Sequence, residues 1–202
     1  MPFAIPSDIA SWIGKDIDAT RQAELVSTIA AAQDWVAHQA GIRSLEKEAA
    51  AVTTYLDATE ANGENLWLPA DVRPVWHSGS DLMTVTEGGI SVSLAASYSA
   101  TAGAVIRGAN QFKRVCLWRA GGWSKSGASD IAVTCKVGWH LDTGVLIVPQ
   151  DVRRLCIEVA WLLFNSYNWV GKQNVSKAGS AVSLENDLSP FAADTLRFLR
   201  GA

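Results

Sequence analysis

Three histidines, three cysteines and nine tryptophans are the residues of this chain whose chemistry calls for testing first. His38 falls in a long helical pattern and His77 and His140 in loops, none with a second histidine at ligand spacing, so neither zinc ligation nor a catalytic triad is indicated. Cys116, Cys135 and Cys156 are odd in number, widely spaced and set among apolar neighbours. With no CxxC pair and no adjacent histidine they read as small buried hydrophobes, which suits a reducing compartment. The chain contains no GxSxG, Walker-type GxxxxGKS/T, GxGxxG or HExxH pattern. Asp142 and Asp151, like Glu185 and Asp187, read as turn, helix-start and arm residues rather than as an acid/base pair. The expectation is a protein that is not an enzyme, with no catalytic residue, metal or cofactor.

The tryptophans admit three readings, because Trp67, Trp76, Trp118, Trp123 and Trp139 lie in turns or near glycine. They can stack on a sugar or another ligand from an aromatic face. They can be core and rim residues of a small β-sandwich. They can also be buried between subunits, where Trp is enriched.

The elements that must position these groups change character along the chain. Ser7 and Asp8 are placed to cap a short helix from Asp8 to about Lys15 with Ile9, Trp12 and Ile13 on its apolar face. Thr20 to Ala40 carries a stripe of Leu25, Ile29, Ala32 and Val36, and Gly41 stands where a helix ends. Strand grammar begins at Val52 to Tyr55, returns at LWLP (Leu66 to Pro69), and continues through a Gly/Ser/Thr-rich region, Trp76 to Ser129. The glycine pairs Gly88–Gly89 and Gly121–Gly122 make hairpins the natural connection there. Ile131, Val133, Cys135 and Val137 then alternate as in a half-buried strand.

Beyond it the period becomes helical. Pro149 is followed by Val152, Leu155, Cys156, Val159, Leu162, Leu163 and Tyr167, a stripe flanked by further apolar residues at Trp161, Phe164 and Trp169. That helix is apolar over more of its circumference than one core requires. Lys172 to Ser189 is polar and small and reads as an extended arm, and Pro190 starts a short amphipathic helix that must dock on something to be stable. The expected fold class is α+β: a helical bundle of N-terminal helices plus the long C-terminal helix, an inserted antiparallel β domain, and an arm ending in a short helix. The corresponding domains are 1–50 with 149–171, 51–148, and 172–202.

At 202 residues the chain can bury about 70% of its unfolded surface without staples. A net charge of −3 with 18% charged residues excludes the basic balance that drives sequence-independent nucleic-acid binding. MPFAIPSDIASWIGK lacks the features of a signal peptide, and Leu155 to Val170, the most apolar stretch, is broken by Glu158, Asn165, Ser166 and Asn168 well short of the roughly twenty residues that span a bilayer. A soluble protein made in a cytoplasm is expected.

The order of parts resembles the head–tail connector, or adaptor, proteins of tailed bacteriophages: TTYLDA, LWLP and RPV leading into strands, EGG and GGW in a hairpin region, VTCKVGW followed by VPQDVRRLCIEVAWLLFNSYN, and a terminal LSPFAADTLRFLR. The resemblance covers nearly the whole chain, and its most specific parts are Val133 to Tyr167 and Pro190 to Arg200. It departs from the simplest members in the long segment from Trp76 to Ser129, an enlarged β region.

The resemblance implies a structural virion protein of the phage neck, assembled in the host cytoplasm as a homo-oligomeric ring of about twelve copies. Such a ring docks on the portal and presents a platform to the stopper or tail-completion protein. Genomic DNA passes through the lumen without specific binding, and no membrane is involved. Carried over by position, Phe191, Leu196, Arg197, Phe198, Leu199 and Arg200 are the expected portal-binding residues, and Trp161, Phe164 and Trp169 the expected subunit contacts. The arm Lys172 to Ser189 is expected to order on docking. The alternative from the residues themselves is a carbohydrate- or ligand-binding β module with helical flanks.

Overall fold

Proline at the first helical position and carboxylates at helix starts set the N-terminal elements. In a computed structural model, which describes residues 4–14, 16–57, 61–95, 103–123, 130–140, 144–170 and 187–201 (backbone only at 166–170), helix α1 spans Pro6–Ile13. It begins two residues earlier than the capping pattern predicts, because Pro6 is pre-organised for the first turn. Asp8, expected as a cap, instead reaches back from the third helical position to the Ile5 N–H at 2.9 Å. Helix α2 (Ala19–Ala40) is capped by Asp18, whose side chain accepts from Arg21 N–H at 2.9 Å. Its inward face is Leu25, Ile29, Ala32, Val36, Ala37 and Ala40.

Helices α3 (Gln150–Val170) and α4 (Pro190–Gly201) complete the helical set of an α+β protein whose strands form two largely antiparallel sheets. By contact the chain divides into two compact units: the described residues of Met1–Gly41 and Val148–Gly201, and those of Ile42–Ile147.

In the first unit α3 packs against α1, α2 and α4, which accounts for its wide apolar circumference. Val152, Leu155, Cys156, Val159, Ala160 and Phe164 are all buried. Arg153 of α3 pairs with Asp8 of α1 at 2.9 Å. Helix α4 rests on α2 and α3 through Ala192, Thr195, Leu196 and Leu199. The arm expected at Lys172 to Ser189 lies outside the described residues except for its last three.

The second unit contains β1 (Val52–Leu56), β2 (Asn65–Trp67), β3 (Thr84–Glu87), β4 (Ile90–Val92), β5 (Leu94–Ala95), β6 (Ala104–Arg107), β7 (Cys116–Trp118) and β8 (Ile131–Cys135). One sheet has the order β1-β8-β3-β4 and the other β2-β7-β6-β5. Alternation in β8 works as its spacing predicts: Ile131, Val133, Cys135 and, just beyond, Val137 are each at most 1% exposed. They share one core with Leu66, Ile106 and Leu117 of the other sheet. The hairpin expected at Gly88–Gly89 joins β3 to β4. Strands β5 and β6 pair in parallel, so their connection is not the hairpin that the turn residues imply.

Residues 42–50, expected with the helices, pack with the strands. The Arg43 guanidinium grips Glu48 with two hydrogen bonds of 2.8 Å, and Glu48 also accepts from Val137 N–H at 3.0 Å. Gly138 permits the approach of this segment: at φ 96° a Cβ there would lie 2.3 Å from the Glu46 carbonyl oxygen.

Candidate functional site

Register places the chemistry of the second unit. Across β2, β7 and β6 the residues Leu66, Leu117 and Ile106 form one row facing the core. Side chains alternate, so the neighbouring rows Trp67–Cys116–Arg107 and Asn65–Trp118–Val105 belong to the opposite face. Trp67 is 46% exposed there.

The loop from Gly108 to Arg114 folds beside this face. Asn110, at φ 58°, accepts from His77 N–H and donates to the His77 carbonyl, both at 2.9 Å, which pins the loop at its middle. Gly108, at φ 88°, lets the chain pass where a Cβ would lie 2.9 Å from the Arg114 carbonyl oxygen. Arg114 donates through Nε to the Leu68 carbonyl at 2.7 Å, and its guanidinium lies 5.8 Å from the Trp67 ring centre. Arg107 lies 5.6 Å from the Trp118 ring centre. Each cation thus rests against an indole, an attraction that also holds its remaining donors in place.

The result is an open cleft of about 290 Å³ lined by Arg107, Lys113, Arg114, Trp67 and neutral neighbours. None of its described lining residues is acidic. Burial pushes the Cys116 thiol up, and the thiol donates to Asn65 Oδ1 at 3.4 Å, so it behaves as a protonated wall rather than a nucleophile. The cleft can attract an anion and stack a flat group; it has no base or nucleophile for chemistry.

The other tryptophans divide between the readings. Trp76, Trp123 and Trp139 are core residues at 2–5% exposure, which removes Trp123 as a stacking platform. Trp118 is half-buried and donates to Glu64 at 2.8 Å. His77 is held by its backbone to Asn110, its Nδ1 accepts from Met83 N–H at 3.1 Å, and burial lowers its pKa. His38 is exposed on α2 and His140 half-buried in a loop. Among the described residues no group of three His, Cys, Asp or Glu is placed to hold a metal ion.

In the first unit the residues expected to meet partners separate by helix geometry. On α4, Leu196 and Leu199 are 2% and 0% exposed and fill the unit's own interior instead of being presented as anchors. Phe198 is 65% exposed and Phe191 37%, one stripe seven residues apart. Arg197 points outward with Asp194 at 2.9 Å, and Arg200 bonds the Gln39 carbonyl and side chain. Arg154 lies 4.6 Å from the Phe191 ring centre. On α3, Trp161 is half-buried and stacks at 6.1 Å on Phe164, which is buried within the unit rather than displayed. The Trp169 side chain lies outside what is described.

The cationic members of the cleft were not singled out by sequence. A signal exists in RVCLW: Arg114, Cys116 and Trp118 recur at period two, the spacing of one face of a strand. What defines this protein so far is an α+β chain of two units, one with an exposed helix stripe and one with an aromatic, cationic cleft. No protein-family model matches the chain, and no curated protein is significantly similar to it. No helix among the described residues is long and apolar enough to cross a membrane.

Proposed function

We propose that the chain is a head–tail connector subunit of a tailed bacteriophage: a non-enzymatic virion protein that forms a ring, docks on the portal and links the DNA-filled head to the stopper or tail. In this reading the fold is a helical bundle interrupted by an inserted β domain, and about twelve copies surround a lumen through which DNA passes unbound. The observation that carries the reading is the outer stripe of α4. Phe191 and Phe198 stay exposed on a helix whose inner face is already satisfied, beside Arg197. Large exposed aromatics on a fixed helix, with a charged neighbour, are the usual makings of an interface anchor. Trp12 and Val26 add exposed apolar surface in the same unit, at 42% and 55%, of use to contacts between copies.

The test is mass measurement of the purified protein alone and mixed with portal rings. A monomer that becomes a ring on the portal, and fails to do so as Phe198→Asp, is the expected result. Normal docking by Phe198→Asp together with Phe191→Asp sinks the α4 assignment, and no association with any portal sinks the connector reading. The ligand-binding alternative keeps one favourable observation, the cleft beside the exposed Trp67. A glycan screen in which Trp67→Ala abolishes the response would favour it.

A further inference from the structure

We propose that the cleft between Trp67, Arg107 and Arg114 receives an extended acidic segment of a partner protein, its carboxylates meeting the cleft cations and its backbone running beside β2. This site is independent of the connector reading, which rests on α4.

The first support is charge. Arg107, Lys113 and Arg114 line one cleft and none of them makes an ion pair among the described residues, although the chain as a whole carries −3. Three uncompensated cations side by side repel one another, a cost that an anionic occupant relieves. Carboxylates fit the guanidinium fork better than they fit a lysine alone. Arg114 is pre-organised for this, because its Nε is already held by the Leu68 carbonyl and its terminal nitrogens make no hydrogen bond among the described residues.

The second support is the sheet edge. Strand β2 is the outermost strand of its sheet. Arg119 N–H donates to the Glu64 carbonyl and Leu68 N–H to the Val115 carbonyl, so the even-numbered residues bond toward β7. By the antiparallel alternation the N–H and C=O of Trp67 therefore point away from β7, along the open edge. A peptide strand can add there through its main chain while alternate side chains reach the cleft. Asn62 and Asn65 already bond each other in this direction, which limits the addition to the Trp67 end, where Arg114 lies.

Size and flanking charge favour a short peptide over a nucleic acid. The volume of about 290 Å³ is at the lower edge of the roughly 300–1,000 Å³ usual for ligand pockets. A polyanion tracking along the face would leave the three cations and meet Glu64 beside Trp118. Single-strand binding needs a longer positive groove.

The experiment uses the full chain and calorimetric titration with a synthetic peptide of about six residues, the usual strand length, alternating Glu with Val. Saturable binding is expected, weakened at least tenfold when ionic strength is raised from about 0.05 to 0.5 M, since screening shortens the reach of exposed charges. Replacing Glu by Gln in the peptide, or Lys113→Glu or Arg107→Gln in the protein, is expected to cost at least tenfold each. Lys113 and Arg107 are exposed and their side chains hold no hydrogen bond among the described residues, so these variants are expected to stay folded by circular dichroism where Arg114→Gln risks disturbing Leu68. The proposal is overturned by absence of saturable binding, by equal binding of the Gln peptide, by indifference to both protein variants, or by tighter binding of an oligothymidine or a neutral glycan.

Discussion

Glu158 and Ser189 are joined by two hydrogen bonds: the carboxylate of Glu158, 5% exposed on α3, accepts from the Ser189 backbone N–H at 2.5 Å and from its hydroxyl at 2.8 Å. Ser189 immediately precedes the first residue of α4, and its hydroxyl oxygen accepts from Ala192 N–H at 3.3 Å. A buried carboxylate thus sits at a helix start, where orphan donors and the dipole favour negative charge. This contact fixes the start of α4, whose buried face packs on α2 and α3, and so helps to hold the exposed stripe in a defined place.

Removing it should release α4 locally. Glu158→Ala is expected to cost about 1–3 kcal/mol, the usual penalty for stranding buried polar partners. Urea denaturation measures the cost, and amide exchange should rise first in Ala192 to Leu199. A rise in exchange no greater in α4 than in the rest of the unit contradicts the role assigned to this pair.

Neighbouring residues on α4 should behave oppositely. Leu199→Ala empties a fully buried position and is expected to lose about 2–5 kcal/mol. Phe198→Ala, at 65% exposure, should stay within about 0.5 kcal/mol of the parent while weakening portal association. Equal losses of stability from the two would mean that Phe198 belongs to the core.

Gly138→Ala places a methyl group against the Glu46 carbonyl in a left-handed backbone conformation. The strain alone is worth about 1–3 kcal/mol, and the added clash must displace the 42–50 segment. Thermal melting should fall clearly, and NMR shifts should spread to Arg43 and Glu48. A variant as stable as the parent would disprove the close approach.

Acid should weaken the second unit before it affects carboxylates. Burial holds the pKa of His77 below its ordinary value, so on acidification the unfolded chain takes up the proton first. This contribution is complete above about pH 6.5 and is lost as pH falls from there toward the folded pKa. Asp81, hydrogen-bonded to Lys47 and Lys136, is held below the usual carboxylate range and adds a further loss at more acid pH, as pH falls from about 3.9 toward its folded pKa. Denaturation at about pH 7.5 and 5.5 checks the first step, and His77→Gln should flatten it. Because Asn110 bonds the His77 backbone, protonation should also loosen the cleft loop.

Thiol reagents should leave the native protein unmodified. Cys116, Cys135 and Cys156 are free and buried, burial raises all three pKa values, and that of Cys156 is pushed up to about 12. Ellman titration is expected to read three thiols in denaturant and close to none without it. Rapid labelling of any one in the native state would refute its burial.

The elements themselves were legible because their signals are local. Ile131 to Val137 alternates at the strand period and Val152 to Phe164 recurs at the helical one; Pro149 and Gly41 mark helix ends by backbone constraints that act within a residue or two. That the last helix must dock was equally legible from its shortness. What covers each apolar face was not. Leu196 and Phe198 are both apolar residues of one helix, and only the packing of α2 and α3 against α4 buries the first and leaves the second exposed.

The cleft depended still more on distant pairing. The row Trp67–Cys116–Arg107 joins residues up to 49 positions apart through strand register, and a slip of one residue would put Leu66 in place of Trp67 on the outer face. The loop carrying Lys113 and Arg114 reaches it through Asn110 bound to His77, a tie with no local signature. From sequence alone the chain is determined as α+β, with its helix and strand periods and its buried thiols, because spacing and residue type act on near neighbours. Tertiary structure decided that Phe164 of α3 is buried inside its own unit, and that three cations and an exposed indole share one cleft, because those outcomes follow from long-range packing and register.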